Sequence, residues 1–365
     1  MKRTLLQILV AVLFVSCGRQ DNSIATVNLS KRNFQEVSLS SNDFVKNWKV
    51  VKLETNETSL VAPYDYVYPT DSFIIIYNYD KILQFDYSGK FIREIAKYGE
   101  SSYDISGIEN CIVDSKQECL YFTEYTKPNI IRVFDLKNNS FKEPVPLASD
   151  IDSWLSLMYL IDDSSFLCFP QMGNNRQLCY VQDFNGNVIG GIGTSDIKND
   201  GIYTPVRLKV MTFDNEWFYQ GNYEDTMYNA LTKKPVAVFL KGKNAKPEEV
   251  ISSKGKDDLI YINNIFCTSE DYILSKVINK VRPSSLEGAY EMHKAEMRYY
   301  TCNWKDKTTY EIKSFYIEPL DKHFEKEEMM GIFDKISSLN HKKIVINIHP
   351  DDNDDNPTLF IGDFY

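Results

Sequence analysis

Aromatic and carboxylate side chains sit close together in several polar stretches that separate apolar runs: Tyr103 with Asp104, Asp150 and Asp152 with Trp154, and Asp200 with Tyr203. A further stretch brings Lys256 next to Asp257 and Asp258. An aromatic face flanked by carboxylates suits sugar hydroxyls or a cationic peptide. Loop aromatics also pack on neighbouring elements, so each of these residues has a plain structural use as well. The strongest charge cluster is His349-Pro350-Asp351-Asp352-Asn353-Asp354-Asp355-Asn356. It offers the oxygen ligands that Ca²⁺ takes, yet it lacks the Gly and terminal Glu of an EF-hand, and consecutive acids ordinarily mark a solvated hairpin tip. The four histidines, His293, His323, His341 and His349, have no spaced partner that would make a metal site or a general base. No G-x-S-x-G, P-loop or Rossmann fingerprint is present. Hence no catalytic residue, metal or cofactor is expected.

The elements that would position those loops recur. Asp86, Asp135, Asp183 and Asn229 follow one another at 49, 48 and 46 residues. Each ends an apolar or aromatic run, opens a polar turn and is followed by a returning run, as in FDYSGKFI at 85–92. Two more apolar runs precede each of these hairpins, so a unit holds four strands. Four antiparallel strands in 45–50 residues are the signature of a propeller blade, whereas an immunoglobulin-like array needs units of about 100 residues. The sequence predicts an all-β, six-bladed β-propeller of four-stranded antiparallel blades over 33–365. Helical insertions are expected at about 281–296 and 318–340. The irregular last unit leaves five or seven blades open. A strand from 34–40 or 48–54 should close the last blade, which would remove exposed edges. Loops leading into the first strand of each unit then gather at one channel mouth, where Tyr103, Asp104, Asp150, Asp152, Trp154, Asp200 and Tyr203 form the candidate ligand site.

Residues 1–16 read as a leader: Lys2 and Arg3 precede an apolar run from Leu5 to Val15 that is too short to span a bilayer. Phe14-Val15-Ser16-Cys17 is similar to a bacterial lipobox, which makes Cys17 the expected lipidation site; export without lipidation is the alternative. Several acyl chains on one cysteine would give stable membrane anchoring without a span. Residues 17–32 then form a polar tether.

About 345 residues remain, enough for one large β-domain. The composition, with 24 Tyr and 21 Phe, is that of a strand-rich globular protein. The net charge is −10, and loss of the leader's Lys2 and Arg3 makes the remainder more acidic still. Such a surface repels phosphate backbones, which excludes nucleic acid as a partner. Cys111, Cys119, Cys168, Cys179, Cys267 and Cys302 mostly lie in strand-like apolar runs and read as buried thiols. Cross-strand disulfides Cys111–Cys119 and Cys168–Cys179 are the other possibility in an exported chain.

KVVKLETNETSL at 49–60, FDYSGKFIREI at 85–95 and the terminal NPTLFIG at 356–362 resemble the six-bladed β-propeller lipoproteins of Bacteroidetes, which are distantly like NHL-repeat propellers. In that family a Gly-rich loop follows the hairpin; here Tyr98-Gly99-Glu100-Ser101-Ser102-Tyr103-Asp104 keeps one Gly and the Tyr but lacks the second Gly and the Pro. The resemblance implies the fold and a cell-envelope location, outer membrane included, facing periplasm or cell surface. It implies no general activity.

The expected function is a lipid-anchored, non-catalytic module that binds a glycan or an envelope protein. The alternative is a carbohydrate-active enzyme, a glycoside hydrolase or lyase with carboxylates at the channel mouth; a hydrolase needs two carboxyls about 5–9 Å apart. A purely structural component of an outer-membrane complex is the third reading.

Overall fold

The repeated acid or amide positions are turn caps. Asp86 Oδ1 accepts the backbone N–H groups of Ser88 and Lys90 at 2.8 and 3.1 Å, and Asp135 Oδ1 accepts those of Lys137 and Asn138 at 3.0 and 2.8 Å. Asp183 does the same for Asn185 and Asn187, and Asn229 for Leu231 and Thr232. A side chain that closes its own turn in this way fixes where one strand stops and the next begins. The Ser88 hydroxyl on Asp86, the Asn138 N–H on Asp135 and the Asn187 amide on Asp183 lead the hydrogen bonds that hold these carboxyls below the usual carboxylate range.

The computed structural model describes residues 24–29, 33–99, 104–148, 155–170, 177–193, 208–213, 216–221, 225–240, 259–267, 271–279, 296–303, 308–326, 328–329, 336–340, 343–350 and 355–365. Strands β1 (Ala25–Asn28), β2 (Glu36–Ser40) and β3 (Val45–Lys52) come first in the chain but belong to its last three blades. Blade 1 is β4 (Tyr66–Pro69), β5 (Phe73–Tyr77), β6 (Lys81–Asp86) and β7 (Phe91–Lys97). Blade 2 is β8 (Ile108–Asp114), β9 (Cys119–Glu124), β10 (Lys127–Asp135) and β11 (Ser140–Pro146). Blade 3 is β12 (Leu155–Asp162), β13 (Ser165–Pro170), β14 (Gln177–Asp183) and β15 (Val188–Gly193). Blade 4 contains β16 (Leu208–Phe213), β17 (Glu216–Gly221), β18 (Thr226–Asn229) and β19 (Pro235–Leu240), with β1 added. Blade 5 contains β20 (Leu259–Cys267), β21 (Asp271–Asn279), β22 (Glu296–Asn303) and β23 (Thr308–Ile317), with β2 added and β24 (Lys322–Glu325) pairing β23. Blade 6 is β25 (Ile336–Asn340), β26 (Lys343–Ile348), β27 (Thr358–Phe364) and β3. The chain is thus an all-β, six-bladed β-propeller closed by an N-terminal strand.

Strands such as Phe73–Tyr77 are apolar at every position because both faces of a blade are covered. Phe73, Ile75 and Tyr77 pack with Cys111, Leu120 and Phe122 of blade 2, while Ile74 and Ile76 pack with Val345, Leu359 and Ile361 of blade 6. Among the described residues the buried apolar side chains form six clusters, one at each interface between neighbouring blades. First strands of adjacent blades approach one another, β8 with β12, β16 with β20 and β25 with β4, so they line the ring axis. The hand of the pleat also settles the cysteines. Cys111 faces blade 1 and Cys119 faces blade 3, while Cys168 faces blade 2 and Cys179 faces blade 4. Neither suggested pair can bridge across a sheet, and Cys111, Cys119, Cys168, Cys179 and Cys302 are buried free thiols.

The N-terminal segment runs along the outside of three blades in succession. β1 pairs in parallel with β19, β2 in parallel with β23, and β3 antiparallel with β27. Ala25–Asn28 lies within the stretch expected to be tether. Its Val27, together with Leu29, is buried at the interface of blades 4 and 5 beside Phe239 and Tyr300, each such side chain contributing about 1.5–3 kcal/mol on burial. Between β2 and β3 the turn at Ser41–Asp43 is held to blade 5 by Glu318, which accepts from the Ser40 and Ser41 hydroxyls and from the Asn42 N–H at 3.1 Å.

Among the described residues, the segment expected to be helical at 318–340 is helical only in part. Glu318–Leu320 is one 3₁₀ turn around Pro319, Asp321 follows with φ +48°, and β24 and β25 are strands. Charged helix formers fill the sequence there, but Phe324 is buried against the blade 5 and 6 interface, and pairing with β23 outweighs local propensity. Lys326, Glu328 and Met329 are helical. Of the insertion expected at 281–296, residues 281–295 lie outside the described residues and Glu296 begins β22.

Ring closure ends in a polar seam between blades 6 and 1. Glu54 donates its N–H to the Gly89 carbonyl at 2.7 Å and accepts the Phe91 N–H on its carboxylate at 2.9 Å. Asn356, 2% exposed, accepts the Val61 N–H at 2.7 Å and donates to the carbonyls of Glu54 and Ser59 at 2.6 and 2.8 Å. Its own N–H reaches the Thr55 hydroxyl at 2.9 Å. The three segments that carry the family resemblance, Leu53-Glu54-Thr55, Gly89-Lys90-Phe91 and Asn356-Pro357, therefore meet at one place.

Candidate functional site

Turns that join second to third strands and the connections that lead into first strands share one end of the ring. Asn78 caps the first of these turns, accepting the N–H groups of Asp80 and Lys81 at 2.8 and 3.0 Å, and this puts Tyr79 at the tip. The incoming connection docks on it: Ile108 donates to the Tyr79 carbonyl at 2.9 Å, Tyr98 to the Asp80 carbonyl at 2.6 Å, and Tyr125 to the Gly107 carbonyl at 2.9 Å. Gly107 has φ +99°, and a Cβ there would sit 2.3 Å from the Tyr79 ring. Only glycine lets that ring lie on the backbone.

Three tyrosine rings gather as a result. Tyr79 lies 6.1 Å from Tyr98 and 6.5 Å from Tyr125, centroid to centroid, and the three side chains are 49%, 57% and 41% exposed. Tyr64 and Tyr66, also exposed, flank Asp65, whose carboxylate takes the Asn78 side-chain amide at 2.9 Å. Tyr66 stacks on Tyr77 at 5.0 Å. Five exposed tyrosines thus occupy the end face of blades 1 and 2, more large apolar surface than turns need for their own folding.

Beneath Tyr125 lies a fully buried carboxylate. Glu124 accepts from Arg132 at 2.6 Å and from the Ser106 N–H and hydroxyl at 2.9 and 2.8 Å, with Lys127 3.5 Å away. Burial pushes its carboxyl up, but the Arg132 and Ser106 hydrogen bonds outweigh this and hold it below the usual value. Because the folded pKa lies below the unfolded one of about 4.3, the stabilisation is complete above the unfolded value and is lost as pH falls through the folded one. Glu124→Gln is expected to lower stability at pH 7 and to give a shallower loss between pH 5 and 3 than the parent shows. Urea midpoints across that range check it; parallel curves for the two proteins would refute it.

Of the residues singled out from sequence, Asp104 is at this end, half-buried, its carboxylate so close to Gly99 that a Cβ there would meet Oδ2 at 2.1 Å. Tyr103, Asp150, Asp152, Trp154, Asp200 and Tyr203 lie outside the described residues, as do Cys17, Lys256, Asp257, Asp258 and Asp351–Asp354. The five tyrosines were missed by sequence reasoning. A signal exists in Asn78-Tyr79-Asp80 and Pro63-Tyr64-Asp65: an aromatic between turn formers has no sheet face to fill. Among the described residues no group of three or more His, Cys, Asp or Glu is placed to hold a metal ion, and no helix is long and apolar enough to cross a membrane.

A family model described as "Domain of unknown function (DUF4934)" matches residues 24–363. No curated protein matches the chain. Among solved structures, a protein of Bacteroides fragilis described as exported is similar with a TM-score of 0.59 at 12% identity, the match covering 94% of this chain and 100% of that one. A DUF4221 family member from Bacteroides vulgatus aligns with a TM-score of 0.49 at 10% identity, over 88% of this chain and 97% of that one. At such identities the first likeness concerns the fold alone.

Proposed function

The chain belongs to the DUF4934 family, and from the geometry of this member we propose a non-catalytic module that binds a glycan on the tyrosine end of blades 1 and 2. The observation that carries the reading is the exposed group of Tyr79, Tyr98 and Tyr125, whose rings are held against one another, with exposed Tyr64 and Tyr66 at the same end. Rigid aromatic faces stack on the C–H faces of sugar rings, and neighbouring Asp and Asn side chains can take the hydroxyls. Glycosidase chemistry is the second reading: Glu124 is tied to Arg132 and Asp65 to Asn78 and the Ala62 N–H, while Glu109, at the same end of β8, has its carboxyl pushed up by burial, as a general acid requires.

We place the protein in the bacterial envelope, lipid-anchored at Cys17 and facing periplasm or cell surface. The leader at 1–16 supports this, as does the fold shared with a Bacteroides fragilis protein described as exported.

The test is a glycan array and soluble-oligosaccharide titration of the intact protein beside Tyr79→Ala/Tyr98→Ala, with product analysis of every hit. Binding that falls about tenfold or more in the variant, without cleavage, is expected. Unchanged binding would overturn the tyrosine site, and released product would overturn the non-catalytic reading. No carbohydrate signal at all would overturn the glycan in favour of a protein partner.

A further inference from the structure

At the opposite end of the ring, turns joining first to second strands enclose a cavity of about 270 Å³. Its walls come from blades 1, 2, 3 and 6. Tyr68 and Asp71 stand on one side, Asp114 and Lys116 on a second, Tyr159, Asp162 and Asp163 on a third, and Lys343 closes the last. Both lysines are already neutralised: Lys343 is 3.2 Å from Asp71 and 2.7 Å from Asp363, and Lys116 is 3.7 Å from Asp163. Among the described residues, no cation pairs with Asp114 or Asp162. Asp162 caps its turn through the Ser164 N–H at 2.8 Å. Asp114, 4% exposed, caps its turn with Oδ1 alone, accepting from the N–H groups of Lys116 and Gln117 at 2.9 and 3.1 Å. Its Oδ2 is buried and has no hydrogen-bond partner among the described residues.

A buried carboxylate oxygen left without a donor is costly, more so when it carries charge. We infer that this cavity is a second binding site, taking a small organic amine whose ammonium donates to Asp114 Oδ2. The surplus negative charge selects a cation over a neutral polyol. The buried Tyr68 ring, its phenol pushed far above the ordinary value by burial, stays neutral and adds an aromatic wall for the cation. The volume admits a compact amine rather than a chain of sugars, so the site is separate from the tyrosine end in both ligand and place.

Titration calorimetry on the intact protein with ethanolamine, putrescine and lysine, against glucose and glycerol, tests the inference. Saturable binding of at least one amine is expected, with no neutral compound bound, weakened about tenfold or more in Asp114→Asn. Asn can keep the Oδ1 turn cap while removing the charge. If Asp114→Asn proves unfolded by its melting curve, Asp162→Asn replaces it, with a weakening of about threefold expected. Amines and neutral compounds binding alike, no amine binding up to about 10 mM, or variants that bind as the parent does would each overturn it. Tyr79→Ala/Tyr98→Ala should leave amine binding unchanged, which separates failure here from failure of the glycan reading.

Discussion

Asn356→Ala is expected to lower stability by roughly 3–5 kcal/mol, since it removes the side-chain partner of the Val61 N–H and of the Glu54 and Ser59 carbonyls at once, in a seam closed to water. The Glu54 carbonyl keeps the Ser59 hydroxyl at 2.8 Å, which is why the figure is not larger. Asn356→Asp should be no milder: it can still accept from Val61, but it sets a carboxylate against two carbonyl oxygens. Urea denaturation at pH 7 decides the matter. A loss below about 1 kcal/mol for Asn356→Ala would mean that the seam is wet or that closure is held elsewhere.

Gly89→Ala should be the second large effect, and its twin in blade 3 supplies the control. Gly89 and Gly186 occupy the same place in their hairpins, three residues after Asp86 and Asp183, with φ of +86° and +81°. Each substitution meets the left-handed penalty of about 1–2 kcal/mol. At Gly186 the nearest atom to an added Cβ is the Pro146 carbonyl oxygen at 3.0 Å, which a small shift can accommodate. At Gly89 it is the Lys52 carbonyl oxygen at 1.9 Å, on the strand that closes the ring, so hairpin and closing strand must part. Gly89→Ala is expected to lose at least about 2 kcal/mol more than Gly186→Ala. Equal midpoints for the two variants in the same urea titration would show that the seam yields freely.

What the sequence disclosed was the period. Asp86, Asp135, Asp183 and Asn229 could be read as equivalent because a turn cap is a local device, written in a residue and its next few neighbours. Ring closure was legible too, since the runs at 34–40 and 48–54 had no unit of their own. The strand at Ile336–Asn340 was not, because it follows a stretch rich in Lys, Glu and Met and only blade 6 gives it a strand to pair with. The parallel pairing of Ala25–Asn28 is invisible for the same reason: its partner lies more than 200 residues away. Of the loop residues singled out, Asp104 alone falls among the described ones, at the end of the ring where the tyrosines gather. Acids beside aromatics drew attention to connections such as Tyr103-Asp104, whereas Tyr79 and Tyr125 come from turns within blades. Their convergence depends on Gly107, whose role only the docked Tyr79 ring reveals.

The outer path of β1, β2 and β3 also orders events in time. Strands β1 to β3 are made before their partners β19, β23 and β27, so blades 1 to 3 can form while those three strands wait unpaired. Contacts of such sequence separation are slow to form. Until they do, the outer edges of blades 4, 5 and 6 stand open to strands of other chains. A nascent chain of this design is most vulnerable to aggregation after nearly all of it has folded, in the interval between completion of β27 and the docking of its own beginning.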